Sequence, residues 1–287
     1  MAKEIWDEYK WNFWNPDKEP LPENPDKNYN IAICTTCMGR TYDLKQTLPI
    51  NILDNSDYKN CVFVVLNYNS KDDLDEFMKD RMLPYIKSGK VLYVHTTQHP
   101  HFQMSHAKNV AMKAAFLLSK KYTGLDIEFA NNVDADNFTG YRHVSVLNKI
   151  LNTGDIDKMV VAKGKRLAHG RYGFSKKAFM KMLCGYPEFC GYFSEYGGDD
   201  ANIRDRAMCL GKFKLMWWGN LGRFSDRIKT PRKKITENMK EKNWKYTEDE
   251  NKKVTEKQIK EGILAPNKGK KWGADNLLVN FRHKESI

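Results

Sequence analysis

Ile127-Glu128-Phe129-Ala130-Asn131-Asn132-Val133-Asp134-Ala135-Asp136 is a mostly apolar run that ends in two carboxylates. Side chains alternate along an extended chain, so those of Asp134 and Asp136 point to the same side. Two like charges placed side by side are costly unless a cation lies between them. Oxygen donors with few His or Cys nearby suit Mg2+ or Mn2+. Such an ion keeps several waters and takes phosphate oxygens as further ligands. The plain alternative is a solvated turn with two acids. Position separates the two readings, because in an open α/β sheet ligands gather at the carboxyl ends of the strands.

Working outward, the pattern predicts such a sheet. Residues 31–34 form a short apolar strand, followed by a polar loop over 35–40 and a helix from Asp43 as N-cap to about residue 53. Residues 61–66 are near-continuously apolar, as in a strand buried on both faces. An amphipathic helix over 72–86, a strand over 91–95 and a helix over 105–120 follow. Ser105 would cap that last helix, and Val110, Ala114, Leu117 and Leu118 make its apolar stripe. The strand at 127–133 is then the fourth. This alternation predicts an open, doubly wound α/β sheet, with ligand loops at 35–40, 67–73, 96–106 and 134–138.

Beyond residue 140 the alternation weakens. Residues 159–162, 172–174 and 213–217 read as extended, 199–210 as helical, and 235–245 and 254–263 as two further helices. The chain divides into an aromatic, Pro-rich arm (1–29), a sheet-forming half (30–140), a smaller mixed region (141–225) and a basic extension (226–287). Trp6, Trp11, Phe13 and Trp14 would anchor the arm to the body.

The 287 residues carry 48 Lys and Arg against 36 Asp and Glu, a net charge of +12 that favours anionic partners. No apolar run approaches the roughly 20 residues of a bilayer span. Residues 1–10 lack the apolar centre of a signal peptide. The expectation is a soluble, cytoplasmic protein, with peripheral membrane contact compatible with its charge. No nucleic-acid-binding motif is present, so no specific nucleic-acid partner is expected. Cys34 and Cys37 have the spacing of a redox pair, but neither a helix start nor a second pair accompanies them. His95, His99, His101 and His106 match no standard metal spacing and are assigned polar roles near the 96–106 loop.

Two more stretches carry chemistry. In Tyr196-Gly197-Gly198-Asp199-Asp200, two glycines permit a tight turn and two acids open a helix, where the dipole favours negative charge. A capped helix start explains one acid. It does not explain the approach through Tyr186, Phe189, Tyr192, Phe193 and Tyr196, and aromatic faces beside paired carboxylates suit a sugar. Near the start of the 105–120 helix, Lys108 and Asn109 offer a cation and an amide to a phosphate or ribose.

In this order the features resemble the GT-A glycosyltransferases over about residues 30–225. Ile31–Arg40 is similar to their opening strand and nucleotide loop, Lys108-Asn109 to a basic residue followed by Asn, and Asp134-Ala135-Asp136 to their D-x-D. Gly197-Gly198-Asp199-Asp200 resembles the G-G-E-D-D segment of the β-1,4-galactosyltransferases and the E-D motif of inverting family-two enzymes.

The resemblance implies a Rossmann-like nucleotide-binding half, an acceptor-binding and catalytic half, and transfer from a nucleotide-sugar, a UDP-sugar by preference, to a glycan or other hydroxyl acceptor with inversion. It places Thr35, Thr36 and Arg40 around the uridine, and Asn69 and Asp72 at base or ribose. Lys108 and Asn109 would lie at the diphosphate, Asp134 at ribose and metal, and Asp136 on Mn2+ or Mg2+. Asp199, Gly198, Tyr196 and Trp217 would meet the acceptor, and Asp200 would be the base. The chain departs from the pattern in three places. Asn69 stands where many relatives carry an acid, Asp199 replaces the usual Glu, and the His that relatives supply as a further metal ligand is absent, leaving Asp226 as substitute. A sugar-1-phosphate nucleotidyltransferase shares the sheet and the paired acids, but Cys37-Met38-Gly39-Arg40 has one Gly where that class has a Gly-rich loop. A carbohydrate- or nucleic-acid-binding protein without activity is the non-enzymatic alternative.

Overall fold

A computed structural model describes residues 21–156, 159–162, 171–191, 197–209, 214–217, 227–231, 233–234, 237–241 and 243–287, with backbone only at 159–162, 208 and 214–217. Among the described residues nine strands form one sheet: β1 (Ile31–Cys37), β2 (Cys61–Tyr68), β3 (Val91–Thr96), β4 (Phe129–Asn132), β5 (Met159–Ala162), β6 (Tyr172–Ser175), β7 (Lys214–Trp217), β8 (Leu277–Val279) and β9 (His283–Glu285). Their order is β7-β5-β6-β4-β1-β2-β3-β8-β9. β1 to β4 are mutually parallel where they pair. β6 runs antiparallel to both β4 and β5, and β8 antiparallel to β3.

The helices are α1 (Thr41–Asp54), α2 (Leu74–Asp80), α3 (Leu83–Lys87), α4 (Met104–Thr123), α5 (His143–Leu151), α6 (Asp199–Cys209) and α7 (Trp244–Lys260), with a π-helical turn at Ala178–Leu183. Alternation along β1 sends Ala32 and Cys34 into one core layer, under α4, and Ile31, Ile33 and Cys37 into the other, under α1, α2 and α5. Ala107, Ala111, Ala114 and Ala115 are fully buried, and their small side chains let α4 lie close on the strands. Gly124, at φ +80°, then ends α4 in the left-handed conformation.

The chain runs β1, β2, β3 in one direction and then returns to place β4 on the other flank of β1. That reversal makes a topological switch point between β1 and β4, the crevice where open α/β sheets bind ligands.

Several local expectations are corrected. The helix expected over 72–86 is two, because Pro84 begins a new turn and α2 closes at Arg81. Asp43 lies inside the first turn of α1, held by Arg40, rather than at its N-cap. Ser105 is buried within α4, whose N-cap is Gln103. In the basic segment α7 takes in most of the helix expected over 254–263 but begins earlier, at Trp244; of the helix expected over 235–245, residues 237–241 are not helical, and 235, 236 and 242 lie outside the described residues. β8 and β9 extend the sheet beyond β3, where Asn280 Oδ1 also accepts from the Tyr93 amide at 3.0 Å. Among the described residues no helix is long and apolar enough to cross a membrane. Trp6, Trp11, Phe13 and Trp14 lie outside the described residues.

Candidate active site

A cleft of ≈ 490 Å³ opens at the switch point. Its floor is Thr36, Met38 and Arg40 after β1 and Asp134, Ala135, Asp136 and Asn137 after β4. Phe102, Met104 and Lys108 enter from the start of α4, and Tyr172 from β6. Gly197 to Ala201 and Arg204 come from α6 and its approach, and Arg227, Asn238, Met239, Trp244 and Glu248 close the cleft from the C-terminal segment.

The acidic loop is braced from behind by α1. Thr47 Oγ1 donates to the Ala135 carbonyl at 2.7 Å, Asn51 Nδ2 to the Asn137 carbonyl at 3.0 Å, and the Thr139 amide to Asn51 Oδ1 at 2.7 Å. These bonds fix the backbone while both carboxylates stay at the cleft. Asn132 Nδ2 donates to Asp134 Oδ1 at 3.2 Å and Asn137 Nδ2 to Asp136 Oδ1 at 3.0 Å. Arg40 Nη2 lies 3.1 Å from Asp136 Oδ2. Burial and the neighbouring Asp134 charge hold the Asp136 carboxyl above the ordinary aspartate value, against the pull of Arg40.

The second acid pair lines the same cleft. Gly197 and Gly198, at φ +105° and +78°, make a left-handed turn that suits glycine. α7 packs directly on them: a Cβ on Gly197 would lie 3.2 Å from Glu248 Cβ, and one on Gly198 3.3 Å from Asn251 Cβ. Asn251 Nδ2 donates to the Gly197 carbonyl at 2.7 Å, and Asn202 Nδ2 to Thr255 Oγ1 at 2.7 Å. Asp199 and Asp200 thus open α6 at the cleft, and the Lys108 ammonium lies 2.6 Å from Asp199 Oδ2 and 2.6 Å from Asp200 Oδ1. Burial, then the Asp199 charge, pushes the Asp200 carboxyl up to about 7, with Lys108 opposing the rise and Asp134 adding to it.

The residues singled out on sequence separate into two groups. Thr36, Arg40, Lys108, Asp134, Asp136, Gly198, Asp199 and Asp200 meet at the cleft. Thr35 is buried and Asn69 is 8% exposed, and neither lines it. Asn69, at φ +56°, donates to the His99 carbonyl at 2.9 Å and accepts from Lys71 Nζ at 2.7 Å. Asp72 holds the Thr41 amide at 2.9 Å and the Ser70 hydroxyl at 2.6 Å, so it braces the start of α1. Asn109 faces away from the cleft: its Nδ2 donates to the Tyr186 carbonyl at 2.8 Å and to Glu188 Oε1 at 2.7 Å, and its Oδ1 accepts from the Tyr186 amide at 2.7 Å. The helix places Lys108 and Asn109 about 100° apart, so adjacent positions cannot serve one ligand. Trp217 ends β7, and Tyr196 and Asp226 lie outside the described residues.

Arg171 is the main group that sequence reasoning missed. It is 1% exposed, and its Nη2 donates to Asn137 Oδ1 at 2.7 Å. Among the described residues its Nε and Nη1 have no hydrogen-bond partner. Burial pulls its guanidinium down to about 10, and Asp134 and Asp136 work against that fall. A lone Arg before a short strand carries no periodic signal. A buried cation beside the acidic loop emerges only when β6 pairs with β4. The closing wall of Asn238, Met239, Trp244 and Glu248 comes from distant sequence in the same way.

The remaining polar candidates have structural employment. Cys34 and Cys37 are free and buried in opposite core layers, and burial pushes the Cys37 thiol up to about 12. His106 Nδ1 pairs with the Tyr68 hydroxyl at 2.6 Å and its Nε2 with the Gly273 carbonyl at 2.8 Å. Among the described residues no group of three or more His, Cys, Asp or Glu side chains is arranged around one point. Asp134 and Asp136 still fit a hard divalent cation, because a carboxylate has about four lone-pair sites and such ions complete their shell with water and phosphate oxygens.

No family model matches the sequence, and no curated protein matches it. Solved structures do match the fold. TarS 1-349 from S. aureus in complex with UDP matches with a TM-score of 0.50 at 11% identity, over 72% of this chain and 62% of that one. A longer S. aureus TarS structure matches with a TM-score of 0.51 at 10% identity, over 84% of this chain and 44% of that one. The mannosyltransferase PcManGT from Pyrobaculum calidifontis, in complex with GDP-Man and Mn2+, matches with a TM-score of 0.49 at 15% identity, over 77% and 64%. The chain therefore spans less than two thirds of the length of each of these proteins. Its sheet, with the cleft at the switch point, is the GT-A-type fold.

Proposed function

We propose that this chain is an inverting glycosyltransferase that moves a sugar from a UDP-sugar to a hydroxyl of a glycan or glycosylated acceptor. The observation that carries the reading is the meeting of two acid pairs, Asp134 with Asp136 and Asp199 with Asp200, at one cleft at the switch point of a GT-A-type sheet. The S. aureus TarS structures of the same fold, one with UDP and one with UDP-GlcNAc, support a uridine donor.

Asp134 and Asp136 would hold Mn2+ or Mg2+, which when bound neutralises charge on a leaving diphosphate. The chain adds fixed positive charge in the same place. Arg40 already lies on Asp136, and Arg171 stands behind the loop within electrostatic reach of both acids. Met38, Phe102, Met104 and Met239 give the cleft an apolar wall for the planar base, and Asn238 anchors it by donating to the Met38 carbonyl at 3.1 Å.

Asp200 takes the proton of the acceptor hydroxyl as that oxygen attacks the anomeric carbon from the face opposite the diphosphate. Burial and the Asp199 charge raise the Asp200 carboxyl above the ordinary aspartate value, which makes it a stronger proton acceptor once ionised. Asp199 and the Gly197-Gly198 turn shape the acceptor side. All six cysteines are free, which fits a reducing compartment and supports a cytoplasmic place of action. The reading is tested by transfer from UDP-sugars in Mn2+: the wild-type chain transfers, and Asp136→Ala and Asp200→Ala lose transfer while remaining folded. Full activity in both variants removes it.

A further inference from the structure

Lys108 stands where a diphosphate ligand would be sought, yet the fold has already used its charge. Its side chain is 2% exposed, and a lysine that deeply buried is stable only when paired. Two of its three N–H directions meet Asp199 Oδ2 and Asp200 Oδ1, each at 2.6 Å. Its ammonium also lies 5.3 Å from the centre of the Tyr186 ring, within cation–π reach.

The surroundings hold this arrangement from behind. Asn109 ties the start of α4 to the Tyr186 backbone through both an N–H and a carbonyl. Asn267 Nδ2 donates to the Cys184 carbonyl at 2.9 Å and also reaches the Tyr186 carbonyl. On the other side, Asn251 and Thr255 of α7 fix the turn and helix that carry the two acids. Two adjacent carboxylates, one buried and one partly exposed, repel unless a cation lies between them, and Lys108 occupies that place. At most one N–H direction of Lys108 is left for a diphosphate, whereas Arg40 and Arg171 stand at the Asp134–Asp136 loop.

We propose that Lys108 is a positioning residue: it clamps Asp199 and Asp200 in one geometry for the acceptor hydroxyl and does not bind the donor. This rests on Asp200 being the base of the transfer reaction. Removing the clamp frees the two carboxylates to turn apart, which harms the chemical step and leaves the donor's contacts with Arg40 and the Asp134–Asp136 loop in place.

The test compares the full chain with Lys108→Met and Lys108→Arg, by steady-state transfer kinetics and by calorimetric titration with UDP in Mn2+. Lys108→Met is expected to lose about 100-fold or more in kcat, with donor KM and UDP affinity within about threefold of wild type. Lys108→Arg, which keeps a cation between the acids, is expected to recover part of the kcat. A tenfold or greater loss of UDP affinity with kcat retained overturns the proposal and makes Lys108 a diphosphate ligand. If Lys108→Met does not fold, Lys108→Met/Asp199→Asn removes the unpaired acid. Recovered folding with unchanged UDP affinity supports the clamp, and weakened UDP affinity overturns it. If the wild-type chain binds UDP but transfers nothing, the transferase reading fails separately, and UDP affinity in the same variants still decides whether Lys108 touches the donor.

Discussion

Arg40 Nη2 lies 3.1 Å from Asp136 Oδ2, joining the loop after β1 to the loop after β4 across the switch point. Arg40 is anchored as well: its Nε donates to Asp43 Oδ2 at 2.5 Å and its Nη2 to Thr230 Oγ1 at 3.0 Å. Asp136 is therefore poised by a cation on one oxygen and an amide on the other, with its remaining lone pairs toward the cleft.

Removing the Asp136 charge should separate metal-linked donor binding from folding. Asp136→Asn keeps the shape and the Asn137 neighbour. UDP affinity measured in Mn2+ is expected to fall by at least about tenfold, equivalent to about 1.4 kcal/mol. UDP binding by the variant should also become insensitive to EDTA, whereas wild-type binding should weaken when EDTA removes the metal. Equal EDTA sensitivity in the two chains would contradict the assignment.

Asp200→Asn should cost about 10²–10⁴-fold in transfer, the usual contribution of a general base. UDP affinity should hold if Asp200 serves the acceptor, as proposed. The melting temperature should not fall, since the substitution removes one of two repelling acids and leaves Lys108 paired with the buried Asp199. A steep loss of UDP affinity instead would place Asp200 on the donor.

The pH dependence has a definite sign. Asp200 must be ionised to accept a proton, and burial with the Asp199 charge pushes its carboxyl up to about 7. Transfer at saturating substrate should therefore rise with pH through about 7 and level above it. A flat profile between about pH 5 and 8 would mean that another group takes the proton.

Gly197 and Gly198 couple the acid pair to the C-terminal helix. Gly198→Ala forces a side chain into φ +78° with its Cβ 3.3 Å from Asn251 Cβ. The expected loss is about 1–3 kcal/mol in denaturant unfolding, the usual cost of a non-glycine residue held in that region. Transfer should fall more than UDP affinity does, because the displaced segment carries Asp199 and Asp200. An unchanged midpoint would show that α7 does not set this turn.

The parallel core was legible because β1, β2 and β3 are buried on both faces, which writes a continuous apolar run into each. The acid pairs were legible as a pattern, one at a strand end and one opening a helix after Gly-Gly, although each has a plain structural use; that both line one cleft is visible only in the fold. The partner of Lys108 was not, since the contact joins residues 91 positions apart and depends on how α4 and α6 meet over the sheet. Asn69 and Asp72 illustrate the converse. A polar residue after a strand reads the same whether it faces a ligand or, like Asp72, holds the Thr41 amide of a neighbouring helix. β8 and β9 are too short to carry an alternation signal, and Asn280 and Phe281 between them adopt positive φ without a glycine to mark the turn.

The most direct measurement is transfer of labelled sugar from a panel of UDP-sugars in Mn2+, with product anomers read by NMR, for wild type, Asp136→Ala and Asp200→Ala side by side. The wild-type chain is expected to transfer with inverted anomeric configuration, and both variants to lose transfer while still folded by circular dichroism. Transfer with retained configuration, or undiminished transfer in the two variants, would contradict the proposed function.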